Sequence, residues 1–573
     1  MGVMVRRLLR AALVPVGFAT LLHAAPMLRL VTTAVVPVPL PLGANGGTQT
    51  VEAYNAGDGS LSLSGNPVPS VSWIATSYGS PRTCTTTTAS SSCIPLQLTL
   101  NTSTLAAGTY TAVVTVNGAA NVVDAPQTIT VTVRIGGLTV YVAPGSSSDV
   151  AFTTNGPLSG VATTQDGNRW LSLDGTGSFR FIYPWSVHIA PPASMASGTY
   201  NGSLVTSGSS FAPDNQTIPV TMHITTQPIA QPYPDNVLPA AYEGGWPARL
   251  AQGAPQLAAQ AGHYIALNNL GQGSLAVGTP TATGGSWLTA APSSGGAAVA
   301  LNPGTLAPGF YSGSVSIPSN AANGAVNVPV SFQVVAQSAP TANYGGVVDN
   351  AIFGVDGGPV TPGDIVDVFG EQFLFADATA YSPGVPLATQ ITASGSTSSV
   401  TVNGVAAPMY FSNYDQIAFQ VPLGTATGTA LVQVERDGLP GNTVSVQVAA
   451  RAPRILVIVN PDTTVPTAAN PAAVGNTVII YAIGLGPTNP AVVTGAPAPS
   501  SPLAKLTTTP TVDFGSGFFG TTAVTPSYSG MSPGSVGLYQ VNVVIPPGLP
   551  AGLINVSLVF PDSVSNTVQL AVQ

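Results

Sequence analysis

The chain has 573 residues, of which 45% are hydrophobic and only 6% are charged, with a net charge of −8. This length suffices for about four domains of roughly 150 residues. The scarcity of basic residues excludes the stripe of phosphate contacts that a nucleic-acid-binding protein needs, and the acidic balance argues against adhesion to anionic membranes. Val, Thr, Ser, Gly and Pro replace the residues that usually cover helices, which predicts many short strands joined by tight turns.

The N-terminus has the pattern of an export signal. Arg6, Arg7 and Arg10 form a basic region at the start of an apolar segment over residues 8–25, as in a signal peptide. We predict a signal peptide within residues 1–34, cleaved at "LLHAA" or at "VTTA", which ends at Ala34; an uncleaved anchor is the alternative. No later stretch has the roughly 18–20 uninterrupted apolar residues of a membrane helix. We therefore expect a secreted or cell-surface protein, with a periplasmic location still open.

Cys84 and Cys93 flank a Ser/Thr-rich turn and are the only cysteines. In an exported protein this arrangement predicts a disulfide that closes a hairpin. A metal site would need more ligands, and no histidine stands nearby.

The N-terminal half contains three tandem repeats, which we call module 1 (45–136), module 2 (137–227) and module 3 (240–336). Each has a tryptophan, then a Gly-x-Tyr phrase, then a closing strand with alternating apolar residues. The tryptophans are Trp73, Trp170 and Trp287, and the tyrosines are Tyr110, Tyr200 and Tyr311. The alternation places one face of each closing strand in a core and the other in water.

The C-terminal half contains two further repeats, module 4 (345–450) and module 5 (451–573). "DQIAFQVPLGTATG" at Asp415 and "VGLYQVNVVIPPGLPAG" at Val536 share a Val/Ile-Pro step and the frame P-x-G-x-x-x-G, and an "NTV" phrase closes each unit at Asn442 and Asn566. Proline cannot donate to a strand ladder, so Val/Ile-Pro is expected to end a strand before a turn. The fold class predicted is all-β, with tandem immunoglobulin-like β-sandwich modules.

The phrases "VTPGDIVDVFGEQF", "NPAAVGNTVIIYAIGLG" and "VGLYQVNVVIPPGLPAG" resemble the Solibacter-type uncharacterized C-terminal domain of secreted Acidobacteria proteins, over about residues 348–573. That domain is similar to the IPT/TIG group of Ig-like folds. The resemblance implies an extracellular accessory region without catalytic residues. Modules 1 to 3 resemble BACON-like and related bacterial Ig-like repeats, which implies possible contact with carbohydrate or mucin.

Two short motifs match catalytic or cofactor-binding patterns but lack the helix that each pattern requires. "GMSPG" around Ser532 matches a nucleophile elbow, but Pro533 and a strand follow where a helix is needed. "GSGFFG" at Gly515 matches a dinucleotide fingerprint, but no helix opens after it. We predict no catalytic residue, no cofactor and no metal site, and therefore no enzyme.

Aromatic residues alternate in "FRFIYPWSVHI", where Phe179, Phe181, Tyr183 and Trp185 share one face of a strand. This face could stack on a sugar ring, or it could be the core face of a sandwich, and Trp246 is a further candidate for an exposed aromatic. The main hypothesis is a structural or adhesive surface array, with other surface proteins as partners. The alternative is a carbohydrate-binding accessory protein with a polysaccharide partner. Burial of the three module tryptophans would favour the first hypothesis.

Overall fold

The computed structural model describes residues 25–85, 87, 90–175, 183–234, 249–254, 264–351, 358–376, 378–516 and 520–573. Within these ranges the chain forms 44 strands in ten sheets, and the one helical element is a 3-10 turn at Ala212–Asp214. Five successive segments contribute two sheets each, and a separate apolar core belongs to each segment. The predicted class, an all-β chain of tandem Ig-like sandwiches, is confirmed.

Module 1 has two sheets around a core that includes Leu28, Leu98 and Val131. Its strands are β1 (Leu28–Leu30), β2 (Ala34–Val35), β3 (Gly47–Asn55), β4 (Val68–Pro69), β5 (Ile74–Tyr78), β6 (Arg82–Thr83), β7 (Ser92–Leu100), β8 (Gly108–Val116) and β9 (Gln127–Ile135). One sheet has the order β1-β3-β7-β5, with β6 also on β7, and the other has the order β2-β9-β8-β4. The first two strands lie upstream of residue 45, where the repeat begins in sequence.

Module 2 surrounds a core with Phe152, Trp170 and Met222. Its strands are β10 (Leu138–Val142), β11 (Ser148–Thr154), β12 (Ser159–Thr164), β13 (Leu171–Gly175), β14 (Tyr183–Ile189), β15 (Gly198–Ser207) and β16 (Thr217–Ile224). The two sheets have the orders β10-β16-β15-β12 and β11-β14-β13.

Module 3 is centred on Trp287 and Phe332, whose rings stack at 5.2 Å. Its strands are β17 (Ala230–Tyr233), β18 (Arg249–Ala251), β19 (Tyr264–Asn269), β20 (Thr281–Thr283), β21 (Leu288–Ser293), β22 (Gly296–Leu301), β23 (Gly309–Ile317) and β24 (Val326–Val335). The sheets have the orders β17-β19-β22-β21 and β18-β24-β23-β20. β17 lies upstream of residue 240, where the repeat begins in sequence.

Module 4 has a valine-rich core completed by Phe373, Met409 and Phe419. Its strands are β25 (Thr341–Asp349), β26 (Ile365–Glu371), β27 (Ala380–Tyr381), β28 (Gln390–Ala393), β29 (Ser396–Val402), β30 (Val405–Ala406), β31 (Met409–Ser412), β32 (Gln416–Gln420), β33 (Gly428–Arg436) and β34 (Leu439–Val448). The sheets have the orders β25-β26-β32-β31-β27 and β28-β29-β33-β34, with β30 also on β29.

Module 5 repeats this plan around Ile480, Phe514 and Val541. Its strands are β35 (Arg454–Val459), β36 (Thr477–Ile483), β37 (Thr488–Asn489), β38 (Lys505–Leu506), β39 (Thr511–Ser516), β40 (Gly520–Val524), β41 (Tyr528–Met531), β42 (Tyr539–Val544), β43 (Gly552–Val559) and β44 (Val568–Val572). The sheets have the orders β35-β36-β42-β41-β38-β37 and β40-β39-β43-β44.

One corner is common to all five modules: a turn leads into a strand that begins at a glycine. These strands are β8, β15, β23, β33 and β43. In module 4, β32 ends just before Val421-Pro422, and the Thr425 N–H donates to the Pro422 carbonyl at 3.0 Å to close the turn. Gly428 and Gly552 then have φ of 111° and 124°, a region that favours glycine. The repeated phrases therefore encode a repeated corner.

Modules 1 and 2 are packed together as one N-terminal block. Val38, upstream of β3, is buried in the core of module 2. The Thr153 N–H donates to the Val36 carbonyl at 2.7 Å, and Arg134 Nη1 donates to the Ala151 carbonyl at 3.0 Å. Backbone and side chain thus bind the two sandwiches to each other.

Modules 3 and 4 share a polar junction. The Ala251 N–H donates to the Tyr414 hydroxyl at 2.7 Å, and Arg249 Nε lies 3.2 Å from Glu371 Oε2. Arg436 Nη2 donates to the Ser338 carbonyl at 2.7 Å, so the connection near Pro340 is held against module 4.

Modules 4 and 5 are joined in the same manner. The Gly495 N–H donates to Gln420 Oε1 at 2.7 Å, the Tyr410 hydroxyl donates to the Val536 carbonyl, and Arg454 Nε lies 3.7 Å from Asp349 Oδ2. Modules 3 to 5 therefore form a second unit, which we call the C-terminal block.

Candidate functional site

Trp185, the last aromatic of the predicted face in module 2, lies on the core side of its sheet. Trp185 on β14 alternates with Val187 and Ile189, which are fully buried. Its register partner is Phe152, and its indole N–H donates to Thr154 Oγ1 at 2.9 Å. Alternate residues of a strand share a face, so Trp185, which packs against the core of module 2, contributes mainly to the sandwich.

Tyr183 begins the same strand and is half-buried. Phe179, Phe181 and Trp246, the other three aromatics predicted as candidates for ligand contact, lie outside the described residues. Their part in a binding surface stays a prediction.

The module tryptophans pack in or against the cores of their own modules. Trp170 and Trp287 are 1% and 4% exposed, and Trp73 is half-buried against the core of module 1. The Trp170 indole N–H donates to Asp166 Oδ1 at 3.1 Å and that of Trp287 to the Gly284 carbonyl at 2.9 Å. A buried indole needs such a partner, so these rings serve their own modules.

The Gly-x-Tyr phrase forms the same hydrogen bond three times. Each tyrosine hydroxyl donates to the backbone carbonyl four residues earlier, which fixes the corner before its strand. The pairs are Tyr110 with Ala106 at 3.1 Å, Tyr200 with Ala196 at 2.9 Å and Tyr311 with Ala307 at 2.8 Å. The repeated tyrosine is thus a corner residue in each module.

The predicted disulfide between Cys84 and Cys93 is present. Glu52, only 2% exposed, holds the start of the loop: it accepts hydrogen bonds from the Thr85 N–H, the Thr85 hydroxyl and Arg82 Nη2. The loop is therefore fixed to β3 by a buried carboxylate as well as by the disulfide.

An exposed polar group on module 2 contains Asp149, Ser186 and His188. His188 Nδ1 lies 2.8 Å from Asp149 Oδ1, and Ser186 Oγ donates to the same oxygen at 3.1 Å. The hydrogen bond from His188 lowers the pKa of Asp149. Nucleophilic serine catalysis requires the serine to donate to the imidazole. Here the serine donates to the carboxylate, so the group lacks that arrangement.

Module 4 buries two aspartates of β26 and its preceding turn. Burial raises the pKa of Asp364 to about 8, with a further contribution from the charge of Asp349, and burial raises the pKa of Asp367 to about 6. Asp364 accepts the Ile365 N–H at 3.1 Å, and Asp367 accepts Gln416 Nε2 at 2.9 Å. Within the described ranges, no three His, Cys, Asp or Glu side chains are grouped to hold a metal ion.

Ser532, the serine of "GMSPG", is 7% exposed. Its hydroxyl lies 3.4 Å from Gln540 Oε1, and its N–H donates to the Leu538 carbonyl. The residues that follow lead into strand β42, as expected for a turn. This serine is therefore part of a hairpin.

A shallow cleft of ≈ 380 Å³ opens on module 3, between the loop after β19 and the hairpin of β21 and β22. Leu275, Val277, Thr279, Pro292 and Ser293 line it together with glycines. The lining contains no ionisable side chain, so the cleft offers shape and hydroxyl groups but no acid or base. In the described part of the chain, no helix is long and apolar enough to span a membrane.

No protein-family model matches the chain, and no curated protein matches it. Among solved structures, the protocadherin GammaB4 extracellular domain is similar at 11% identity over 96% of this chain and 84% of that one, with a TM-score of 0.15. The human desmocollin-1 ectodomain is similar at 11% identity over 74% and 79%, also with a TM-score of 0.15. An endo-fucoidan hydrolase from glycoside hydrolase family 107 is similar at 12% identity over 55% and 45%, with a TM-score of 0.14. Likeness at these TM-scores carries no argument, and the fold assignment rests on the sheets and cores described above.

Proposed function

We propose that the protein is an exported, non-enzymatic array of β-sandwich modules that acts as a structural or adhesive element outside the cell. One observation carries the proposal: the repeated aromatic residues serve the modules themselves, as core rings or as corner hydroxyls. The disulfide supports export, because disulfides persist in oxidising compartments. We further propose that modules 4 and 5 are a Solibacter-type C-terminal region, for which the sequence phrases are the support.

Rigid spacing between modules is the physical property that such an array requires. Hydrogen bonds and ion pairs cross the junctions between modules 1 and 2, 3 and 4, and 4 and 5. Within each block, these contacts hold neighbouring modules at a set separation, as a surface stalk or scaffold requires.

Bead adhesion tests the proposal with residues 26–573. Beads coated with the chain should attach to bacterial cell surfaces, or to one another, more than beads coated with the heat-unfolded chain. Equal attachment of folded and unfolded chains would contradict an adhesive role, and turnover of a polysaccharide substrate panel would contradict a non-enzymatic one.

A glycan array and an insoluble-polysaccharide pull-down test the carbohydrate-binding alternative. The wild type is compared with Trp185→Ala, and circular dichroism checks the fold. The proposal predicts no saturable glycan binding by either protein. Binding by the wild type that the folded variant loses would establish the alternative and identify the aromatic face as its site.

A further inference from the structure

Asp124 joins the N-terminal block to the C-terminal block across 321 residues of sequence. Its carboxylate is fully buried and accepts the Ser445 N–H at 2.7 Å and the Ser445 hydroxyl at 2.7 and 2.8 Å. Arg29 Nη1 lies 2.8 Å from Asp124 Oδ2 and provides the compensating charge within module 1. Burying a carboxylate costs free energy unless it is paired and hydrogen-bonded. The complete set of partners around Asp124 therefore indicates a specific contact.

Neighbouring groups complete the contact. Asn442 Nδ2 donates to the Ala125 carbonyl at 2.8 Å, and the Arg29 guanidinium lies over the Tyr344 ring at 4.5 Å. Asp124 has a φ of 60°, a strained conformation for a residue other than glycine. Such strain persists only where the surroundings hold it in place.

The contact lies on the outer edge of a sheet, which Val360 already covers farther along, at Gln447 and Ala449. β34 is the last strand of its sheet, and Ser445 lies on it. Asp124 accepts the Ser445 N–H, and its own N–H approaches the Thr443 carbonyl at 3.4 Å. Asp124 therefore pairs backbone groups that an edge strand would otherwise present to another chain.

The covalent connection between the blocks is short. The Thr225 N–H donates to the Val142 carbonyl in module 2, whereas the Gln227 carbonyl accepts from Gln272 in module 3. Thr226 alone separates these two anchored residues. Modules 1 and 3 also approach each other, leaving a gap of only ≈ 20 Å³ lined by Val68, Arg249 and Phe310 among others. Polar, limited contacts between domains of one chain are the kind that open and close.

We propose that the Asp124–Ser445 contact is an intramolecular latch, which holds the two blocks closed about a hinge at Thr226 and covers β34 at Thr443 and Ser445. When the latch is released, the two blocks move apart about the hinge, and the Thr443 carbonyl and the Ser445 N–H become exposed. The latch is independent of what the array adheres to.

Small-angle X-ray scattering of residues 26–573 tests the latch. Asp124→Asn removes the charge that Arg29 and Ser445 share, and Ser445→Glu places a second carboxylate against Asp124 from the opposite block. Each variant should raise the radius of gyration of the chain by an amount on the order of 5 Å, because two compact blocks of known size move apart. Asp58→Asn, an exposed aspartate of the same module, is the matched control and should leave the radius unchanged.

Folding is checked by circular dichroism, and Ser445→Glu leaves module 1 unaltered if Asp124→Asn unfolds it. Hydrogen exchange adds an independent measurement: the amide of residue 445 should exchange slowly in the wild type, where it donates to Asp124, and much faster in Ser445→Glu. A folded Ser445→Glu chain with the wild-type radius, or a wild-type Ser445 amide that exchanges at the rate of an exposed strand edge, would overturn the latch.

Discussion

The side-chain amide of Asn566 bonds both backbone groups of Ile455: it accepts the N–H at 2.7 Å and donates to the carbonyl at 3.1 Å. Asn442 does the same with Ala342, at 2.8 and 2.9 Å. In each C-terminal module the "NTV" phrase thus ties the closing segment to the first strand.

Replacing Asn566 by alanine should lower the free energy of unfolding. The Ile455 N–H and carbonyl lose both partners, and a buried polar group without a partner costs about 1–3 kcal/mol. Urea unfolding at equilibrium measures the change. Asn470→Ala, an exposed asparagine of the same module, should change stability far less, and equal effects of the two substitutions would contradict the role given to Asn566.

Tyr311→Phe should destabilise module 3 by about 0.5–1.5 kcal/mol, because it removes only the hydroxyl that donates to Ala307. Tyr200→Phe should have a similar effect on module 2, since its bond is equivalent. Thermal unfolding checks both. Tyr233→Phe, at a side chain that is 72% exposed, is the control. An equal loss of stability in Tyr233→Phe would show that the hydrogen bond of the corner hydroxyl does not account for the effect.

The stability of module 4 should fall as the pH rises. The pKa of Asp364 is raised by burial from 3.8 to about 8, so the folded state keeps a proton that the unfolded chain releases. This contribution is fully present below about pH 4 and is lost as the pH rises through 8. Burial raises the pKa of Asp367 to about 6, so its contribution to stability is also lost as the pH rises, over the lower part of that pH window.

Midpoints of urea unfolding between pH 5.5 and 9 measure this dependence. The whole range lies above the pI of about 4.7. Asp364→Asn should flatten the curve between pH 6 and 8, because the amide does not ionise. The exposed control Asp58→Asn should keep the wild-type slope. A slope unchanged in Asp364→Asn would show that another group carries the dependence.

Export should remove the N-terminus after Ala25 and retain β1. Leu28 is fully buried, the Val123 N–H donates to the Pro26 carbonyl at 2.9 Å, and the Ala56 N–H donates to the Met27 carbonyl at 3.0 Å. Cleavage after Ala34 would delete these contacts. Mass spectrometry of the exported chain identifies the terminus, and a chain starting at Val35 should melt at a lower temperature than one starting at Pro26.

The fold was predictable because its signals are local. In β9 the alternation of Gln127–Ile135 matches a strictly alternating burial pattern. Repeated turn phrases were equally readable: Asn55 and Asn269 each accept the N–H two residues on, from Gly57 at 3.0 Å and Gly271 at 2.9 Å. Short-range hydrogen bonds of this kind depend only on adjacent residues.

The contacts between modules were not predictable from the sequence. Nothing around Asp124 indicates that it meets Ser445, because the pairing depends on how whole sandwiches pack. For the same reason the alternation around Trp185 showed that the aromatics share a face but not that Trp185 faces the core. The burial of Asp364 likewise depends on the approach of Gly484 and Tyr539 from module 5.

Most of the described arginines lie near the junctions between modules. Of the eight arginines in the described ranges, Arg82 and Arg169 are exposed within a module and Arg451 pairs with Asp562 within module 5. Five lie at or beside a contact between modules: Arg29, Arg134, Arg249, Arg436 and Arg454. Proteases of the trypsin type cut only after arginine and lysine, and they need the bond to be drawn out into their cleft. A chain that stands outside the cell among such enzymes would therefore hold five of the nine lysines and arginines of the described ranges at module junctions, where they are half-buried or buried.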